Sequence, residues 1–214
     1  MGPTLREELA GVLWIGGGPG AGKTTVARRL AERYGFELYV ADDALQGYGE
    51  RLNRTEYPLT QSFIAMDMDQ RWVTRTPEEM FRTFHRFQGE GFDVIVDDLR
   101  LLASRGTGVI AEGLSLIPRL VAPLLTTRSH AVWLVPTSKF SRDAIEARGG
   151  KWSIAGRTSD PERALANLRE RDELFGREVK RQVAELGLHA LVVDGTAPAE
   201  EIARRVADLF DLSR

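Results

Sequence analysis

Gly17, Gly22, Lys23 and Thr24 stand in the spacing G-x-x-x-x-G-K-[ST], within the stretch GGGPGAGKTT from Gly16 to Thr25. Five glycines and a proline separate the apolar run GVLWI from VARRLAERYG. Glycines let a backbone curl until successive N–H groups point inward at anionic oxygens, and a helix that follows directs its positive end at the same place. Between a strand and a helix this spacing binds phosphate. The lysine reaches the β- and γ-phosphates of a nucleotide, and the hydroxyl beside it ligates magnesium. The expected nucleotide-binding residues are therefore Gly17, Gly18, Pro19, Gly20, Ala21, Gly22, Lys23, Thr24 and Thr25, with Thr24 as metal ligand and ATP and Mg2+ as cofactors.

Further acids and bases fall where they could act on that phosphate. Asp42 and Asp43 follow the apolar run FELYVA, and an acid at the carboxyl end of a strand lies in the crevice where ligands bind. One could take a proton from a substrate hydroxyl while the other caps the next helix. Asp42 is assigned the chemistry and Asp43 the cap, with Asp43 also a candidate for substrate contact. Glu112 closes GVIAE and could hold magnesium through water or touch the acceptor, although a structural role is also open. Arg142, Arg148, Lys151 and Arg157 alternate with Gly149, Gly150 and Gly156, a pattern that suits a lid closing over a transferring phosphoryl group. Arg142 and Arg148 are its first catalytic candidates.

The elements that must carry these residues read as an α/β chain. Short apolar runs at 12–16, 36–41, 108–112, 131–135 and 189–194 alternate with longer amphipathic ones, the pattern of a parallel sheet flanked by helices. The clearest helix is 161–186, with Asp160 to cap it, Pro161 in its first turn, and Leu165, Leu168, Phe175, Val179, Val183 and Leu186 as its apolar stripe. A last helix spans about 198–210. FDVIVDDL, 92–99, has the look of a strand ending in an acidic pair, yet Phe92, Ile95, Leu99 and Leu102 share a helical face. The helix is preferred, leaving Asp97 and Asp98 as solvated surface acids.

Composition sets outer bounds. The chain has 214 residues, 43% hydrophobic and 28% charged, with a net charge of −2 and no cysteine. Disulfides, thiolate metal sites and a cysteine nucleophile are excluded. The near-neutral balance argues against a protein that coats nucleic acid, so nucleic acid is not an expected partner. No stretch approaches the roughly 18 apolar residues of a membrane span, and MGPTLREELAG lacks the apolar core of a signal peptide. A cytoplasmic location is expected.

GGPGAGKT, VADDAL after the second strand, the arginine-bearing segment after the fourth, and VDGTAPAEEI after the fifth together resemble the nucleoside and nucleotide kinase-like P-loop phosphotransferases. That group includes adenylate, thymidylate, shikimate and gluconate kinases and chloramphenicol phosphotransferase. The resemblance runs over nearly the whole chain and implies one P-loop domain, 1–214. Its five-stranded parallel sheet would have order 2-3-1-4-5, with a helical acceptor-side region at 44–105 and a lid at 138–160. It places Asp42 as an acceptor-side acid and Thr196, Ala197 and Pro198 against adenine. No N-K-x-D guanine motif is present. The acceptor region matches no member closely, and AEGLSLIPRL stands where shikimate kinases carry a glycine triplet.

The expected activity is transfer of the γ-phosphoryl of Mg-ATP to a small-molecule acceptor, most simply a hydroxyl. The alternatives are a nucleotide or polynucleotide 5′-end kinase and an ATP-binding switch with slow hydrolysis. Residues 44–91 hold the acceptor chemistry. Their aromatics and methionines could form an apolar wall, while Arg51, Arg54, Arg71 and Arg75 could hold an anionic substrate. Arg51 and Arg54 are the substrate-binding candidates, and His85 is read as a packed or surface histidine.

Overall fold

A computed structural model describes residues 2–48, 56–147 and 154–212. Its strands are β1 (Val12–Gly17), β2 (Glu37–Val40), β3 (Val109–Glu112), β4 (Ala131–Pro136) and β5 (His189–Val193). They form one sheet of order β2-β3-β1-β4-β5 in which every pairing is parallel. The helices are α1 (Leu5–Glu8), α2 (Lys23–Tyr34), α3 (Ala41–Tyr48), α4 (Pro58–Ala65), α5 (Met68–Trp72) and α6 (Pro77–Thr83). They continue as α7 (His85–Gln88), α8 (Phe92–Ala103), α9 (Pro118–Val121), α10 (Ser138–Ala147), α11 (Pro161–Leu186) and α12 (Ala199–Leu209).

The central strands are buried on both faces, so they read as continuous apolar runs, and alternate residues enter different cores. Val12 and Trp14 of β1 join Val109, Ala111, Trp133, Phe87, Ile95, Leu99, Phe175 and Val179 on one side. Leu13 and Ile15 join Ile110, Val132, Leu134, Val26, Leu30, Ile202 and Val206 on the other. Thus α8 and α11 cover one face, and α2 and α12 the second. The run 92–99 is helical: Ile95 and Leu99 are fully buried and Asp97 is exposed. Asp98 is not the solvated acid expected, because it accepts a 2.8 Å hydrogen bond from Tyr39 Oη and ties α8 to the edge strand β2.

A third cluster lies beside the sheet, where short helices are set by local chemistry. Asp67 and Gln70 form a capping box on α5, and Thr76 and Glu79 form one on α6. Trp72, Val73 and Met80 then pack against Ala155, just before α11, and against Ala164 and Leu168 at its start. That helix begins at the Asp160 cap, with Pro161 at its first position, and ends at Gly187 in the left-handed conformation. Among the described residues, no helix is long and apolar enough to cross a membrane.

Candidate active site

The phosphate loop joins β1 to α2, and its shape is fixed by packing as much as by sequence. Gly17 has φ 125°, and a Cβ there would meet the Leu134 carbonyl oxygen of β4 at 2.0 Å. Gly22 caps α2 at φ 79°, turning the backbone so that the first amides of the helix face the loop. Lys23 is buried, and its Nζ donates to the Gly18 carbonyl at 3.0 Å, folding the side chain back over the loop.

Thr24 donates its hydroxyl to Glu112 Oε1 at 2.7 Å. Glu112 ends β3, level with Ile15 of β1 and Val40 of β2, and is only 2% exposed. Burial holds its carboxyl above the usual value, with the Thr24 hydrogen bond and Lys23 opposing and the charges of Asp42 and Asp43 adding to the rise. Glu112, Asp42 and Asp43 therefore share one electrostatic neighbourhood with Lys23. A hydroxyl and a carboxylate are the hard oxygen donors that magnesium takes. No group of three or more His, Asp or Glu among the described residues is arranged to hold a metal unaided. The donor set fits an ion that arrives with nucleotide phosphates and retains its waters.

Asp42 lies in the first turn of α3, directly after β2. Its Oδ2 accepts from the Leu114 amide at 3.3 Å, and its Oδ1 is 3.2 Å from Arg86 Nη1 of α7. Gly113 lets this happen: a Cβ there would lie 2.8 Å from that of Ala41. Asp43 is the third residue of α3 and exposed, so it is not the cap, although a carboxylate in the first turn still suits the helix dipole.

The lid candidates divide. Arg142 is exposed on α10, whereas Arg148 and Lys151 lie outside the described residues. Arg157 sits in a short turn, Ala155–Arg157, pinned beside the helical layer by buried Ala155 and by Asp69, which accepts from the Ser159 amide at 2.8 Å. After β5, Asp194 accepts from the amide and hydroxyl of Thr196 at 2.9 and 2.7 Å, shaping the turn that leads through Ala197 to Pro198. That turn packs against Phe140 of α10 at Gly195.

On the acceptor side, Arg51 and Arg54 also lie outside the described residues. Arg71 and Arg75 are half-buried and donate to neighbouring backbone. Arg71 donates to the carbonyls of Phe63 and Ile64 at 3.0 and 2.9 Å, closing the end of α4. Arg75 donates to the Glu79 carbonyl and to Thr83. An open cleft of about 690 Å³ beside them is lined by Pro58, Gln61, Ser62, Ala65, Met66, Gln70, Thr74 and Arg75, and no phosphate-loop residue lines it.

Two charged residues missed in the sequence stand out instead. Arg171 and Asp172 lie on the buried side of α11, with side chains only 7% and 11% exposed. Both Nε and Nη2 of Arg171 donate to Asp172 Oδ1, at 2.9 and 2.6 Å, and the guanidinium lies 5.0–5.4 Å from the rings of Trp72, Phe84 and Phe87. Burial pushes the Asp172 carboxyl up while Arg171 pulls it down, and Lys23 is near enough to act on it as well. The signal was position: of the five charged residues between Leu168 and Phe175, Arg171 and Asp172 stand three and four places after Leu168, on the face of the apolar stripe.

Comparison with known proteins adds to this geometry. Residues 12–111 match a protein family described as an AAA domain. The all-parallel sheet of order β2-β3-β1-β4-β5, flanked by helices and carrying the phosphate loop after β1, has the arrangement of the P-loop fold. No curated protein matches significantly. Similar solved structures include a shikimate kinase from Acinetobacter baumannii in complex with shikimate, 17% identical, TM-score 0.44, covering 97% of this chain and 96% of that one. A deoxyadenosine kinase from M. mycoides with bound dCTP is 12% identical, TM-score 0.46, covering 94% and 98%. A sugar kinase from Janibacter sp. HTCC2649 is 17% identical, TM-score 0.44, covering 94% and 95%.

Proposed function

We propose that this chain transfers the γ-phosphoryl of Mg-ATP to a hydroxyl of a small-molecule acceptor. The observation that carries the reading is Asp42, held by the Leu114 amide at the mouth where Lys23, Thr24 and Glu112 meet. Lys23 leaves the Gly18 carbonyl to engage the β- and γ-phosphates, for which the loop amides supply the remaining donors. Thr24 and Glu112 would hold magnesium, Thr24 directly and Glu112 through water. The ion supplies charge neutralisation on the phosphates.

Asp42 accepts the proton of the attacking hydroxyl at a carboxylate oxygen, and Arg86 fixes where that carboxylate points. Arg142 and Arg148 would neutralise charge on the transferring group. Thr196, Ala197 and Pro198 would contact the adenine through their backbone. These roles belong to one P-loop domain in which the short helices α4 to α7 cover the acceptor.

The test is transfer of label from γ-labelled ATP into a fractionated small-metabolite extract, comparing wild type with Asp42→Asn and Lys23→Ala. A labelled small product abolished by both substitutions is expected. ATP binding with label released only as free phosphate would overturn the reading.

A further inference from the structure

The open cleft of about 690 Å³ beside α4 and α5 lies within the range of about 300–1,000 Å³ that small molecules occupy. Pro58, Ala65 and Met66 give it an apolar side, and Ser62 and Gln70 bring neutral polar groups. Among the described residues, Arg75 is the only charged one that lines it.

That charge has no ion pair among the described residues. Arg75 donates to neutral acceptors: the Met66 thioether at 3.3 Å, the Glu79 carbonyl at 3.1 Å and the Thr83 hydroxyl. Three neighbouring acids are committed to backbone amides instead, Asp67 to that of Gln70, Asp69 to that of Ser159 and Glu79 to that of Thr76. Burial holds the guanidinium below its ordinary value, with Glu79 opposing and Arg171 adding. An anion arriving in the cleft would relieve that cost.

The donors left over say which anion fits. Nη2 is spent on Glu79 and Thr83, so the fork cannot grip a phosphate through two parallel bonds. Nη1 has the sulfur of Met66, a weak acceptor that a carboxylate oxygen outcompetes. The side-chain oxygen of Gln70 takes the Asp67 amide at 2.9 Å, which leaves its NH2 for a ligand. One cation beside one amide matches a single negative charge shared over two oxygens.

We infer that this cleft is a ligand site for a small carboxylate-bearing molecule, a monoanion with an apolar body. The site shares no residue with the phosphate loop, Asp42 or Glu112, and does not rest on the kinase reading.

Benzoate and benzamide, near-isosteres that differ in charge, test it at low ionic strength. Binding is followed by NMR of 13C-methyl-labelled methionines, of which Met66 lines the cleft and Met80 is buried in the core. Benzoate should shift the Met66 signal, leave that of Met80 in place, and bind more tightly than benzamide. Phenyl phosphate, a dianion, should bind no more tightly than benzoate. Gln70→Glu keeps an acceptor for the Asp67 amide, and so the helix cap, while setting a carboxylate in the same wall as Arg75. It should weaken benzoate about tenfold or more, the scale of a charged hydrogen bond, and benzamide by less than about threefold. Arg75→Gln should act in the same direction. Saturating Mg-ADP should leave benzoate binding unchanged.

An unmoved Met66 signal, preference for benzamide or phenyl phosphate, undiminished benzoate affinity in a folded Gln70→Glu, or competition by Mg-ADP would each overturn the inference. The wild-type comparison stands even where a variant does not fold. A chain that binds benzoate here yet transfers no phosphoryl would refute the kinase reading and leave this one intact.

Discussion

Thr24 at the start of α2 and Glu112 at the end of β3 are joined by a 2.7 Å hydrogen bond across 88 positions of sequence. The hydroxyl donates, which leaves its oxygen lone pairs for a cation, while the carboxylate brings negative charge to the same point. Glu112→Gln keeps an acceptor for Thr24 but removes that charge. ATP affinity without magnesium should stay within about threefold, while its enhancement by magnesium should fall about tenfold or more. Calorimetric titrations with and without the ion decide it. An unchanged magnesium enhancement would remove Glu112 from the metal's surroundings.

Lys23 and Arg142 should differ in weight. Lys23 is buried against the loop and has a preset place among the phosphate donors, whereas Arg142 is exposed on α10 and must come to the site. Phosphoryl transfer depends on positioning and charge neutralisation, so a preorganised cation contributes more than a mobile one. Lys23→Ala should lower kcat/KM by about a thousandfold, and Arg142→Ala by about ten- to a hundredfold. Comparable rates for the two variants would contradict the assignment.

The sheet and its longest helices were legible in the sequence, and the acceptor side was not. Strand runs near 12–16 and 131–135 are bounded by turns and buried on both faces, so composition alone marks them. The α11 limits follow from Asp160, Pro161 and Gly187. The phosphate loop is legible because its chemistry is contiguous. By contrast, the partners of Arg171 lie on α5, α6–α7 and its own neighbour Asp172, and no spacing rule connects Trp72, Phe84 and Phe87 to position 171. The backbone ties of Arg71 and Arg75 were illegible for a related reason. A cation in an arginine-rich run looks solvent-directed until the carbonyls it closes are placed beside it.

His85 gives a pH dependence with a definite sign. It packs between Phe63 and Phe84, its Nδ1 has no hydrogen-bond partner, and burial, then Arg86 and Arg71, lower its pKa from 6.5 to about 4. Between those values the unfolded chain binds a proton that the folded chain does not, so stability rises with pH and is lost as pH falls from about 6.5 toward 4. His85→Phe keeps a ring between its neighbours and removes the titration. Urea unfolding at pH 7 and near pH 4.5 should show wild type losing up to about 3 kcal/mol more than the variant. Equal losses would mean that His85 protonates freely in the fold.

Gly17 and Gly176 should respond in opposite directions to the same added methyl group. At Gly17, φ is 125° and the new Cβ would lie 2.0 Å from a backbone oxygen of β4, which cannot move without breaking the sheet. Gly17→Ala should therefore cost more than about 3 kcal/mol and abolish nucleotide binding. Gly176 lies inside α11, and nothing within 4 Å would meet a Cβ there. Alanine restricts the unfolded chain and favours helix, so Gly176→Ala should stabilise by about 0.5–1 kcal/mol, or about 1–4 °C in Tm. Calorimetric melts measure the Gly176 effect directly. A fall in Tm there would show that α11 needs a glycine at that point for a reason other than space, such as room for a ligand or a partner helix.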